Sequence, residues 1–192
     1  LIKRGLLKGL ARQIAPALDD FSRAQRMDST QPRLYLYRGI VEFLNGDFKK
    51  ARTDVRRAVQ LGDEAESRVW LFFSEFKAYD REQAQMNLDR YLALAPAISE
   101  EWRHIIRYLV GKEDEEQLRR TIATMKEPWG NPDKDWRAQA QCNMNFVVGL
   151  MNHITGRKVG AKPYWEACID SKAHPLIPLA VATALLRETR PQ

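Results

Sequence analysis

Three histidines, two cysteines, a few adjacent carboxylates and one glycine- and lysine-rich turn are the groups in this chain that could do chemistry. His104, His153 and His174 stand with Cys142 and Cys168 at spacings that match neither C-x-x-C nor H-x-x-x-H, so no metal ligand set is indicated. Asp19-Asp20 and Glu115-Glu116 are neighbours on helical stretches, and exposed neighbours do not acquire the raised pKa of a general acid. Gly156-Arg-Lys-Val-Gly160-Ala-Lys162 resembles a phosphate loop only in composition. Pro163 stands where a magnesium-binding hydroxyl belongs, and a helical pattern precedes the segment instead of a strand. There is no G-x-S-x-G and no Cys–His constellation. These residues predict no catalytic group, no cofactor and no metal.

The cysteines are too few for a disulfide framework. Cys168 occupies a small core position and Cys142 the start of the preceding helix, where an antiparallel hairpin could bring the two near one another. Buried free cysteine is common, so free thiols and a reducing or neutral compartment are expected, with pairing left open.

The elements that carry these groups read as helices throughout. Helical periodicity and turn residues predict helices at 1–10 and 15–27, 34–44 and 48–61, 65–78 and 82–94. Further helices are predicted at 101–110 and 113–125, 138–154 and 162–171, with a closing helix at 176–188. Asn45-Gly46-Asp47 is the clearest turn, and Gly111 and Pro96 break other segments. Residues 126–137 hold two prolines, a glycine, Trp129 and Trp136, and read as a linker. The expected partition is therefore 1–125, the linker 126–137, and 138–192.

Small residues recur at fixed offsets along these helices. Gly5, Ala17, Phe21 and Ala24 return 34 residues later as Gly39, Ala51, Val55 and Ala58. The same spacing returns as Gly149, Ala161, Trp165 and Cys168. Small residues at helix crossings allow close packing, and a 34-residue period resembles the tetratricopeptide repeat (TPR) superfamily. The resemblance covers nearly the whole chain, most clearly residues 1–61 and 145–168. It implies an all-α, TPR-like α-solenoid: a right-handed superhelix of about five helical hairpins plus a cap helix. The order of units is also loosely similar to a bacterial outer-membrane TPR lipoprotein adaptor and to plastid TPR proteins. The stretch from Trp70 through Phe72, Phe73 and Glu75 to Phe76, and the unit from Trp102 to Thr121, carry that second likeness. No lipid-attachment cysteine opens the chain.

The resemblance implies a non-catalytic protein-interaction scaffold, an accessory subunit or assembly factor of a larger complex. A transient peptide adaptor and an RNA-binding helical repeat are the alternatives. It places the protein-binding surface on the first helix of each hairpin, at Arg33, Tyr37, Ile40, Phe43, Arg68, Phe72, Asn143 and Phe146, with Trp129 and Trp136 added by the linker. The same side chains could simply pack against neighbouring helices, as apolar stripes usually do. The positions that grip a terminal carboxylate in chaperone-binding TPRs hold Ile2, Leu6, Leu36 and Ile40, which would desolvate it without a partner.

Charge adds little. Lys and Arg number 31 against 25 Asp and Glu, giving +6 and a pI near 9.4. Lys49, Lys50, Arg52, Arg56 and Arg57 form a basic patch, with Asp47 and Asp54 interleaved and no aromatic residue at stacking spacing, so nucleic acid is disfavoured as a partner. No apolar run reaches the ~18 residues of a spanning helix, which leaves a soluble or peripheral protein. The basic balance and the opening at Leu1 suggest an organelle, plastid or mitochondrion, before the cytoplasm.

Overall fold

The computed structural model describes residues 1–94, 97–126, 135–171, 173 and 176–188. These form eleven helices and no strand among the described residues. They are α1 (Ile2–Leu10), α2 (Ile14–Met27), α3 (Pro32–Leu44), α4 (Phe48–Leu61), α5 (Ala65–Ala78), α6 (Arg81–Leu94), α7 (Glu100–Leu109), α8 (Glu115–Thr124), α9 (Trp136–Ile154), α10 (Lys158–Asp170) and α11 (Leu176–Glu188). The fold is all-α, built of helical hairpins.

Local chemistry sets the helix ends. Pro32 opens α3, where its missing N–H costs nothing. Asp114 and Gln117 form a reciprocal capping box at α8, each side chain accepting from the other's backbone N–H at 2.8 and 2.9 Å. The turn after the first helix of a hairpin needs a left-handed residue. Gly46 and Gly156 supply it at φ +88° and +87°, and Arg12 fills the same repeat position at φ 62°. Only α10 departs from expectation by more than a few residues. It starts at Lys158 and runs through Pro163, so the expected glycine-rich turn is already its first turn.

The chain divides into two compact units, Leu1–Ile98 and Ser99–Gln192. This differs from a partition at 126–137, because α7 and α8 pack on α9: Asn143 donates to Glu101 at 2.6 Å, and α10's Tyr164 donates to Glu115 of α8 at 2.5 Å.

In the first unit, α1 to α6 stack in sequence, each hairpin on the next. The repeated glycines show why small residues recur. A Cβ on Gly39 would fall 2.6 Å from the Val55 side chain and 3.0 Å from the Ala51 carbonyl, and one on Gly5 would meet the Phe21 ring at 3.0 Å. A Cβ on Gly9 would overlap Val41, which sets how closely α1 approaches α3. Trp70, Phe73 and Phe43 then fill the space between α3 and α5, with edge-on ring contacts at 5.7 and 6.1 Å.

In the second unit Gly149 and Trp165 repeat the crossing between α9 and α10, a Cβ there falling 2.6 Å from Trp165 Nε1. Cys142 and Cys168, expected as free thiols, form a disulfide. Because α9 begins at Trp136, Cys142 lies in its second turn and faces the last turn of the antiparallel α10, with Cα atoms 4.3 Å apart. Ile177, Val181, Ala182 and Leu185 of α11 are buried, and the helix packs on both α9 and α10.

Candidate protein-binding surface

The expected surface is the first-helix face of the hairpins, and most of its apolar members are buried. Tyr37, Ile40 and Phe43 of α3 are 5%, 0% and 5% exposed. Phe43 packs edge-on against Phe48 of α4 and Trp70 of α5. Phe72 is buried against Phe73 and Phe76, and it borders a small gap shared with Ala84 and Leu88 of α6. Phe146 of α9 is buried as well. These side chains serve the hairpin core because successive first helices lie in contact with one another, α1 on α3 and α3 on α5.

Polar members of the set remain nearer the surface. Arg33, near the start of α3, is exposed. It acts electrostatically on Tyr37 and on half-buried Glu66 of α5. Burial raises the Tyr37 phenol, with Arg33 opposing. Burial also pushes Glu66 up to about 7, assisted by Glu64 and opposed by Arg33. Arg68 is held in a fork by Asp63 at 2.6 and 2.8 Å and lies 4.7 Å over the Tyr91 ring. Asn143 is engaged by Glu101, whose carboxyl burial raises. Trp136 is half-buried as the first residue of α9, and Trp129 lies outside the described residues.

The basic patch is largely neutralised. Glu75, 4% exposed, accepts from Arg52 at 3.4 Å, Arg56 at 3.1 Å and Asn87 at 2.8 Å. Arg52 also stacks 4.6 Å over Tyr79. Arg57 reaches Gln60 and lies over Tyr35, and Lys50 pairs with Asp47 at 3.4 Å. What reads in sequence as a cationic stripe is mostly the hinge-pin of α4, α5 and α6. Lys49 and Lys50 remain exposed.

Sequence reasoning missed a pair of buried charge locks. Arg4 of α1 grips Asp20 of α2 through two hydrogen bonds at 2.8 and 2.5 Å, and Lys8 adds a third contact at 2.8 Å. Asp20 is 1% exposed, and its carboxyl is held far below the usual range, by the Arg4 hydrogen bond first and Lys8 second. Arg38 and Asp54 repeat the fork between α3 and α4 at 2.5 and 2.7 Å, with Gln25 of α2 accepting a further Arg38 N–H. The signal was present, since both Arg and Asp recur after 34 residues. At the Lys8 position, however, the second repeat has Glu42. Its side chain is 9% exposed and hydrogen-bonded to Asp54, and its Oε2 has no hydrogen-bond partner. Burial, and then Asp54, push its carboxyl up to about 8.

Among the described residues no group of three His, Cys, Asp or Glu could hold a metal, and no helix is long and apolar enough to cross a membrane. No family model matches the chain. No curated protein matches it either. Among solved structures the chain is similar to YrrB, described as a TPR protein with an unusual peptide-binding site. The two are 16% identical, the match spans 95% of this chain and 89% of that one, and the TM-score is 0.44.

Proposed function

We propose that this chain is a non-catalytic protein-interaction scaffold, an accessory subunit or assembly factor of a larger complex. The observation that carries this reading is where its reactive side chains go. Asp20, Asp54, Glu75, Glu101 and Glu113 are each spent on a cation or an amide of a neighbouring helix. A catalytic group needs a substrate-facing position and a tuned pKa, whereas these groups tie helices into an array. The function of such an array lies in what its helices hold.

Exposed apolar side chains of the first unit lie on several helices, among them Leu7 at 57%, Met27 at 78%, Met86 at 59% and Leu94 at 75%, and Met27 shares an apolar cleft with Leu1, Ile2 and Ala24. Anchors spread over α1, α2 and α6 suit a broad partner surface better than one peptide groove, which favours the subunit over the transient adaptor. Arg33, Tyr37 and Glu66 are the group a peptide adaptor would use, so the second reading keeps a specific address. Engagement of Arg52 and Arg56 by Glu75 weighs against an RNA-binding role.

Native isolation from the source organism, run at low and high salt, tests the reading. A stoichiometric partner that survives high salt is the expected result. A chain that elutes alone at both salt concentrations, or that loses its partner on Arg33→Glu with its helical content intact, would shift the assignment to the adaptor.

A further inference from the structure

Both cysteines of the chain lie in the second unit, and they join a hairpin that is poorly furnished to close by itself. α10 begins with cations where a helix favours acids. Arg157 is its N-cap and Lys158 its first residue, no acid stands in the first turn, and no side chain caps it. Gly160 and Pro163 follow inside the helix, and Pro163 cannot donate to the carbonyl four residues back. α4, at the same place in the second hairpin, has Asp47 as its N-cap and neither glycine nor proline.

Docking α10 on α9 also forgoes the tie used in the second hairpin. Val148 and Tyr164 stand where Arg38 and Asp54 form their fork. Trp165 is fully buried at its crossing with Gly149, and its Nε1 has no hydrogen-bond partner among the described residues. A sealed, unmet donor is costly and cancels part of the gain from burying the ring. Against these costs stands the bond from Cys142 to Cys168 in the last turn of α10. With 26 residues between its ends, it favours the closed over the open hairpin by roughly 400-fold through loop-closure entropy. Both cysteines are 0% exposed, so an external thiol or disulfide reaches neither sulfur until α10 lifts from α9. The bond therefore forms before or as α10 docks, and docking then seals it.

We propose that the α9–α10 hairpin is an oxidative latch, closing when an external disulfide oxidises Cys142 and Cys168 and thereafter keeping reductants out. The thiolate of one cysteine attacks the external disulfide, forming a mixed disulfide and releasing one thiol. The second cysteine attacks the mixed disulfide, forming the Cys142–Cys168 bond and releasing the other thiol. The cysteines give up two protons and two electrons, and the external disulfide ends as two thiols. The first unit has no cysteine and folds in either redox state. The second is completed only where a disulfide donor is present, so the chain matures in an oxidising compartment.

The test is hydrogen exchange of the intact chain, read by mass spectrometry, in its oxidised form and after reduction in denaturant and anaerobic refolding. Amides of α10 should exchange about a hundredfold or more faster in the reduced chain, with α1 to α6 unchanged. Oxidised glutathione should then restore the protection. Dithiothreitol should cleave the native bond no faster than α10 opens to exchange. Cys142→Ser combined with Cys168→Ser should match the reduced chain, and protection in α1 to α6 shows that this variant still folds. Protection of α10 that survives reduction or the double substitution would overturn the latch, as would an equal loss across α1 to α6. A native bond cleaved faster than α10 opens would overturn the seal. Free Cys142 and Cys168 thiols in chain isolated from its source under acid quench would overturn the oxidising compartment and the proposal with it.

Discussion

The second and fifth hairpins share a packing frame and differ in how they are fastened. Gly39 against Val55 and Gly149 against Trp165 bring the two helices to the same close approach. Around that crossing the second hairpin carries the Arg38–Asp54 fork, while the fifth has Val148 and Tyr164 at those positions and a disulfide between Cys142 and Cys168. Freed from the lock, Tyr164 turns its hydroxyl to Glu115 of α8. The repeated quantity is therefore the distance between helices, and the fastening is free to vary. One fastening responds to charge and pH, and the other to reductant.

The largest effect should come from separating these two chemistries. The disulfide closes a loop of 26 residues, so replacing both cysteines with serine should cost about 3.5 kcal/mol of unfolding free energy by the chain-entropy relation. Chemical denaturation with reductant should reproduce that loss, and the Arg38 and Asp54 locks should be indifferent to it. Next comes the fork. Arg38→Ala leaves Asp54 and Glu42 as two partly buried acids without a cation, and should cost about 2–3 kcal/mol. Arg4→Ala should cost less, because Lys8 still meets Asp20. Equal losses at the two positions would remove the distinction between the triads.

A smaller effect lies in pH. The folded pKa of Glu42 is raised above its ordinary 4.5 to about 8, so its contribution to stability is fully present below about pH 4.5 and is lost as pH rises through 8. Glu66 adds the same trend up to about pH 7. Asp20 acts in the opposite sense, since its depressed pKa gives stability that is lost in acid. The chain should therefore resist thermal unfolding best in the weakly acidic range, and Glu42→Gln should flatten the alkaline limb, leaving the part due to Glu66. The smallest effect should be Arg12→Gly. It relieves a left-handed backbone worth about 1–2 kcal/mol but removes the hydrogen bond from Arg12 to the Leu44 carbonyl, so Tm should shift by only a few degrees.

Helix placement was legible because punctuation residues mark it. The segments 48–61, 65–78 and 176–188 have their expected bounds, and others shift by one or two residues. The start of α10 was missed because Gly156, Gly160 and Pro163 look like one turn, although only Gly156 has the left-handed backbone. The surface was less legible. Periodicity reports that Tyr37 and Ile40 lie on one face of α3 and Phe72 on a face of α5, but not that neighbouring helices cover those faces. Charge was least legible of all. Asp20 beside Asp19 looks solvent-facing until the period is applied to charged residues, when Arg4 and Asp20 become Arg38 and Asp54. Cysteine pairing stayed open because helical periodicity puts Cys142 and Cys168 on neighbouring antiparallel helices without fixing the register between them.

The most direct test of the two triads is thermal unfolding of Lys8→Glu from pH 4 to 9, beside the parent chain. This substitution gives the first repeat the charge pattern of the second. The geometry predicts a lower Tm at neutral pH and a new alkaline decline like the one Glu42 causes. A variant with unchanged Tm and no added pH dependence would contradict the claim that the Lys8 position decides how each hairpin is fastened.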